Sequence, residues 1–175
     1  MVSLGDPTDV VRCAWAGSHP LLLEYHDREY GSIPHDDRSL FEHLTLEMFQ
    51  AGLSWLTVLK KREAFRRAFD GFEPATVAAY GDEDRARLMA DAGIVRNRLK
   101  IDAAIHNANV VLRLAGDHGS FAAWLDRQGQ LTRDEWVRLF KKTFRFTGGE
   151  ITNEFCMSAG YLPIAHDPGC FRAVP

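Results

Sequence analysis

Asp91-Ala92-Gly93-Ile94-Val95-Arg96-Asn97-Arg98-Leu99-Lys100 is the stretch on which the fold turns. It separates two segments with helical periodicity. One opens at Asp82 and runs to about Ala92; the other carries Ile101, Ile105, Ala108 and Leu112 on one stripe. Gly93 permits a tight turn between them. Backbone N–H groups at the start of the second helix are natural phosphate ligands, and Arg96, Arg98 and Lys100 lie beside them. Taken alone, the stretch is a helical hairpin of open purpose. Its shape is similar to a helix-hairpin-helix element, with one glycine in the turn where many examples have two.

Outward from the hairpin the same period recurs. Asp36 and Asp37 can cap a helix whose apolar stripe is Leu40, Leu44 and Met48, with Phe41. Ala51-Gly52-Leu53 breaks it, and Ser54 can cap a second helix carrying Val58, Leu59, Phe65 and Phe69. Pro74 suits the first turn of a third. Ser120 begins a short helix with Phe121, Trp124 and Leu125, and Thr132 with Glu135 forms a capping box before Trp136, Leu139 and Phe140. A last helix is expected from about Glu150 to Ala159, with Gly160 as its stop. Before Asp36 the chain reads as irregular, punctuated by Pro7, Gly17, Pro20, Gly31 and Pro34. Strand-like alternation is nowhere sustained, so the class is all-α.

With 46% hydrophobic and 26% charged residues, the 175-residue chain has the balance of a water-soluble globular protein. It lacks the ~18 uninterrupted apolar residues of a membrane span, and its first residues show no basic region followed by an apolar run. A cytoplasmic monomer with no membrane partner is expected. Cys13, Cys156 and Cys170 are too scattered for a disulfide framework and read better as ligands or buried thiols. A net charge of -3 excludes binding to nucleic acid through overall positive charge. Three local basic clusters remain: Lys60-Lys61-Arg62 with Arg66-Arg67, then Arg96, Arg98 and Lys100, then Arg138, Lys141, Lys142 and Arg145. Each is either a solvated face or part of a phosphate-binding surface.

Two constellations could carry chemistry. Glu47 lies seven positions after Leu40 on the first body helix, so a carboxylate occupies the core-facing stripe. That is costly unless it is paired. It either caps a neighbouring loop or sits in a dry pocket awaiting donors from a cationic ligand. Trp15, Tyr25, Tyr30 and Trp55 flank it in sequence and are either core aromatics or the walls of a site for a flat ring. The second set is Cys13, His26, His166 and Cys170. Two sulfurs and two imidazoles suit tetrahedral zinc, although the two pairs stand at opposite ends of the chain. Four protein ligands leave no open position, so such a metal is structural.

Read together, these residues form a pattern. Arg12-Cys13-Ala14-Trp15, Tyr25-His26-Asp27-Arg28-Glu29-Tyr30-Gly31 and Leu46-Glu47-Met48-Phe49-Gln50-Ala51-Gly52-Leu53-Ser54-Trp55 resemble the bacterial type I (constitutive) 3-methyladenine DNA glycosylases, of the helix-hairpin-helix glycosylase superfamily. Thr57-Val58-Leu59-Lys60-Lys61-Arg62 and the hairpin continue the likeness, and His166 with Cys170 matches the family's C-terminal metal pair. The resemblance implies the helix-hairpin-helix glycosylase fold, with structural Zn2+ on Cys13, His26, His166 and Cys170. It implies one compact domain over 1–175: a helical body at 36–144 with its hairpin at 91–100, and a zinc-clipped lobe formed by 1–35 and 145–175.

It also implies a base-excision repair enzyme that flips alkylated bases out of double-stranded DNA, hydrolyses the glycosidic bond and releases a methylated purine. Glu47 is then the catalytic residue that hydrogen-bonds the base, with Trp15, Tyr25 and Trp55 around it. Leu53 fills the gap in the duplex, and Gly93, Arg96, Arg98 and Lys100 contact DNA. The chain departs from the family at Leu22 and Tyr30, in a short segment from Gly116 to Phe144, and in Phe144-Arg145-Phe146-Thr147-Gly148-Gly149-Glu150. Read without the resemblance, the same residues also suit a non-catalytic DNA-binding or damage-sensing module with structural zinc.

Overall fold

The computed structural model describes residues 10–173, so residues 1–9 and 174–175 of the expected domain lie outside the described residues. Its helices are α1 (Pro20–Arg28), α2 (Asp37–Gln50), α3 (Trp55–Ala68), α4 (Pro74–Ala78), α5 (Asp82–Ala90), α6 (Arg98–His118), α7 (Phe121–Asp126), α8 (Arg133–Thr143) and α9 (Gly149–Ser158). Short 3-10 turns span Ala14–Ala16 and Asp70–Phe72, and no strand occurs among the described residues.

α2 is the axis of the molecule. Asp36 accepts from the Ser39 N–H at 2.9 Å, satisfying one of the donors a helix start leaves open. Gly52, at φ 85°, turns the chain out after Gln50. Every residue from Leu40 to Phe49 is buried, and α2 packs against α3, α6, α7 and α9. One flank is the cluster Phe49, Phe65, Phe69 and Phe72, whose Phe49 and Phe65 centroids lie 4.9 Å apart. The other is Phe121, Phe140, Phe144 and Phe155, with Phe140 and Phe155 at 5.4 Å. Each fully buried ring stabilises the fold by roughly 2–3 kcal/mol. A helix enclosed on all sides must also bury its polar residues, here Glu42, His43, Thr45 and Glu47.

The irregular N-terminal segment contains a helix after all. Pro20 is the first residue of α1, where a preset φ and a missing N–H cost nothing, and the His19 side chain accepts from the Leu21 N–H at 3.2 Å. α1 matters because it carries Tyr25 and His26.

The hairpin joins α5 to α6 as expected, but Gly93 works differently. It is absent from the positive-φ glycines, and a Cβ there would lie 3.0 Å from Ala64 Cβ and 2.9 Å from Asp91 Oδ1. Close approach to α3 requires the glycine. Lys61 of α3 donates to the carbonyls of Ala92 and Gly93, Asp91 accepts from the Gly93 N–H, and Asn97 caps α6 through the Lys100 N–H. The N- and C-terminal described segments meet. The Phe171 N–H donates to Val11 O at 2.8 Å, the Ala14 N–H donates to Asp167 at 2.6 Å, and Arg172 donates to the carbonyls of His26 and Asp27.

Candidate active site

A cavity of about 340 Å³ opens where α1, α2, α3 and α9 converge; Trp15, Tyr25, Tyr30, Trp55, Glu47 and Glu154 line it. Its rings meet at edges: Trp15 and Tyr30 cross at 76°, Trp15 and Tyr25 at 60°, Tyr25 and Trp55 at 58°. The Tyr25 hydroxyl pairs with Ser158 Oγ at 3.0 Å, and burial followed by the charge of Glu47 raises its pKa well above that of a free phenol. Tyr30 is pushed up to about 12 by burial first and by Glu154 next.

Glu47 projects from α2 into this cavity and is only 3% exposed. The imidazole of His43, one turn earlier, is beside it, with Nε2 3.3 Å from Oε1 but without hydrogen-bond alignment. Among the described residues no Lys or Arg forms an ion pair with it. The Trp55 Nε1–H is also buried with no partner. The sequence placed Trp15, Tyr25, Glu47 and Trp55 as a group, and all four line the one cavity. It did not single out Glu154, which is half-buried on α9 and whose pKa is raised by burial, then by Glu47 and Glu150. Nothing in the linear sequence separates Glu154 from exposed Glu150 one turn earlier.

Cys13, His26, His166 and Cys170 form the second cluster, joining the N- and C-terminal segments. Their ligand atoms all lie within 4.8 Å of one another. Cys13 Sγ stands 3.2 Å from His166 Nδ1, and Cys170 Sγ stands 3.4 Å from His26 Nε2. Tetrahedral zinc with ordinary Zn–S and Zn–N bonds separates such ligands by about 3.5 Å, so the donor set fits a metal. His26 Nδ1 lies 2.8 Å from Asp27, which Arg12 grips from Nε at 3.0 Å and Nη2 at 2.8 Å. This pairing fixes the imidazole with Nε2 toward the cluster. The cluster adjoins the cavity: Cys13 precedes the turn bearing Trp15, His26 follows Tyr25, and the His26 and Trp15 rings lie 5.3 Å apart.

The expected DNA contacts divide. Leu53 is 40% exposed at the break after α2. Arg96 is exposed and has no ion pair among the described residues, and Arg98 is exposed beside Asp102 at 3.3 Å. Lys100 differs from the expectation. Its ammonium is buried, with its pKa lowered by that burial, and donates to Phe49 O at 2.9 Å and Ala51 O at 2.8 Å. It satisfies open carbonyls at the end of α2 and presents no free charge to phosphate. Two arginines of the earlier basic cluster likewise turn inward: Arg62 and Arg66 both bind Glu42, and Arg62 also binds Glu29, while Lys60 and Arg67 stay exposed. The unexpected exposed side chain is Phe146, held at φ 58° beside Arg145, whose N–H and carbonyl are both bound by Asn107.

Residues 15–137 match the family model described as methyladenine glycosylase. The chain is 39% identical over 178 residues to DNA-3-methyladenine glycosylase 1 of Escherichia coli (strain K12), covering 91% of this chain and 95% of that protein. It superposes on a crystal structure of 3-methyladenine DNA glycosylase I (TAG) with a TM-score of 0.83 and 38% identity, covering 93% and 99% of the two chains. A single-residue variant of a 3-methyladenine DNA glycosylase I (TAG) solved in complex with 3-methyladenine gives 0.81 and 32%, covering 91% and 96%. The chain belongs to the methyladenine glycosylase family.

Proposed function

We propose that this family member hydrolyses the N-glycosidic bond of 3-methyladenine in alkylated double-stranded DNA, as a monofunctional repair glycosylase acting as a monomer in the cytoplasm. One observation carries the reading. Glu47 is a buried carboxylate in an aromatic cavity, and among the described residues neither Lys nor Arg pairs with it. A buried carboxylate with no Lys or Arg beside it is stabilised by a ligand that brings a positive charge.

Methylation at N3 supplies that charge. It makes adenine a cationic leaving group, so no proton need be delivered to the base. Flipping costs least where pairing is already weakened. The flipped ring enters between Trp15, Tyr25 and Trp55, whose electron-rich faces favour a cation. Glu47 accepts a hydrogen bond from the exocyclic amine. Neutral adenine forfeits the charge-charge part of that contact, a discrimination of about 2–3 kcal/mol. The other departing product is the abasic strand. Leu53 fills the space left in the duplex, and Gly93, Arg96 and Arg98 at the hairpin hold the phosphates. The buried ammonium of Lys100 supports this surface from within.

Cys13, His26, His166 and Cys170 would hold Zn2+ with every coordination position filled by protein. The ion supplies cross-linking, clipping Trp15 and Tyr25 into register through their neighbours Cys13 and His26. Elemental analysis should find one zinc per chain, and prolonged chelation should lower the melting temperature by several degrees. A metal-free preparation of unchanged stability contradicts the clip.

The activity is tested by incubating the protein with methylated double-stranded DNA and identifying the released bases. 3-methyladenine is expected, and Glu47→Gln should abolish its release. Tight binding of damaged DNA with no base released would favour a damage-sensing module.

A further inference from the structure

We infer that Glu154 is a second catalytic carboxylate, the group that receives the proton of the attacking water. The inference rests on the proposed glycosidic hydrolysis and completes it, because Glu47 cannot serve both ends of the nucleotide. Glu47 lines the cavity and is almost fully enclosed, so it suits the base that enters. The sugar remains tethered to the strand outside, so a carboxylate acting there must be nearer the opening.

Glu154 meets that requirement. It lines the same cavity from a different helix and is half-buried where Glu47 is enclosed. α9 packs directly on α2, and its buried Thr152, Phe155 and Cys156 anchor the turn that carries Glu154. Its anionic charge is not neutralised: among the described residues no Lys, Arg or His makes an ion pair with it, and the cavity lining contains neither Lys nor Arg. The charged groups felt at Glu154 are Glu47, Glu150 and His43. Burial raises its proton affinity, which suits an acceptor. Two uncompensated carboxylates also favour the positive charge that moves from purine to sugar as the bond breaks.

The step balances. The C1′–N9 bond breaks and its electron pair passes to N9, neutralising the cationic purine. A water oxygen bonds to C1′, and its proton passes to the Glu154 carboxylate and then to solvent. The products are neutral 3-methyladenine, the abasic sugar and one proton.

Single-turnover excision and free-base affinity separate the two carboxylates. Wild type, Glu154→Gln, Glu154→Ala and Glu47→Gln are compared on methylated duplex DNA, and 3-methyladenine binding is read from fluorescence of the cavity tryptophans. Glu154→Gln should slow excision about 100-fold while free-base affinity stays within about twofold. Glu47→Gln should lose both. Added formate should partly restore Glu154→Ala and leave Glu154→Gln unchanged. Glu154 is half-buried and makes no ion pair among the described residues, so melting temperatures of its variants should stay close to wild type. Excision at the wild-type rate by Glu154→Gln, a loss of affinity equal to the loss of rate, or no rescue by formate overturns the assignment. Failure of the wild type itself to release 3-methyladenine refutes instead the activity on which it rests.

Discussion

The middle of α2 and its C-terminal half each bury a glutamate, and the pair are treated in opposite ways. Glu42, 8% exposed, is met by two guanidiniums: Arg62 at 2.7 Å and Arg66 at 2.9 Å. Arg62 also binds Glu29, next to α1, so one charge network joins three segments of the chain. Five residues later Glu47 is more deeply buried and faces a cavity with only a misaligned imidazole nearby. A carboxylate supplied with its counter-ion belongs to the fold. One left without a strong cation is poised for a ligand. The lesson is that burial alone does not mark a functional acid; burial without a Lys or Arg counter-ion does.

The sharpest test is to change each glutamate separately. Glu47→Gln should reduce excision of 3-methyladenine by at least about 100-fold, as expected when a charged contact to the reacting base is lost. Its melting temperature should equal or exceed that of wild type, because a buried charge has been removed. A large loss of stability would make Glu47 a second Glu42. The reverse is expected of Glu42→Ala, which strands Arg62 near the core. Discounted for partial exposure of the arginines, urea denaturation should show a loss of about 2–3 kcal/mol. Excision by the folded fraction should stay near wild type.

Smaller effects bound the same helix. Lys100→Met leaves the Phe49 and Ala51 carbonyls without their buried donor and should cost about 1–2 kcal/mol in chemical denaturation. Its salt dependence of DNA binding should match wild type, since a buried amine releases no phosphate counterion. A slope lower by about one would restore Lys100 as a phosphate ligand. Asp36→Ala removes the α2 cap and should cost about 1 kcal/mol. Burial opposes ionisation of Asp36, but its hydrogen bonds from Ser39 prevail and the folded pKa is lowered. The cap's contribution is therefore present above the unfolded pKa and is lost as pH falls through the folded one. The stability difference between wild type and Asp36→Ala should shrink in acid.

Local chemistry made much of this readable. The caps at Asp36, Ser54 and Thr132 act within three residues of themselves, and the stripe of Leu40, Leu44 and Glu47 needs only the helical period. The metal set could be named because its residue types are rare together, yet only the fold shows that ends some 150 residues apart come within bonding distance. Pro20 misled because proline punctuates loops and starts helices alike. The inward turn of Arg62 and Arg66 depends on Glu42, some 20 residues away, and the approach of Glu154 to Glu47 depends on α9 folding back over α2. Such pairings leave no trace in spacing.

Lys100 also ties two parts of the proposed DNA surface with one amine. It springs from the first turn of α6, at the hairpin, and grips the carbonyls that lead into Leu53. The hairpin and the break at Leu53, the proposed grip and probe, are thereby tied together, like the jaws of a locked caliper. A gauge of that kind does not conform to each base pair it passes. The duplex has to yield instead, and it yields most readily where alkylation has already weakened it.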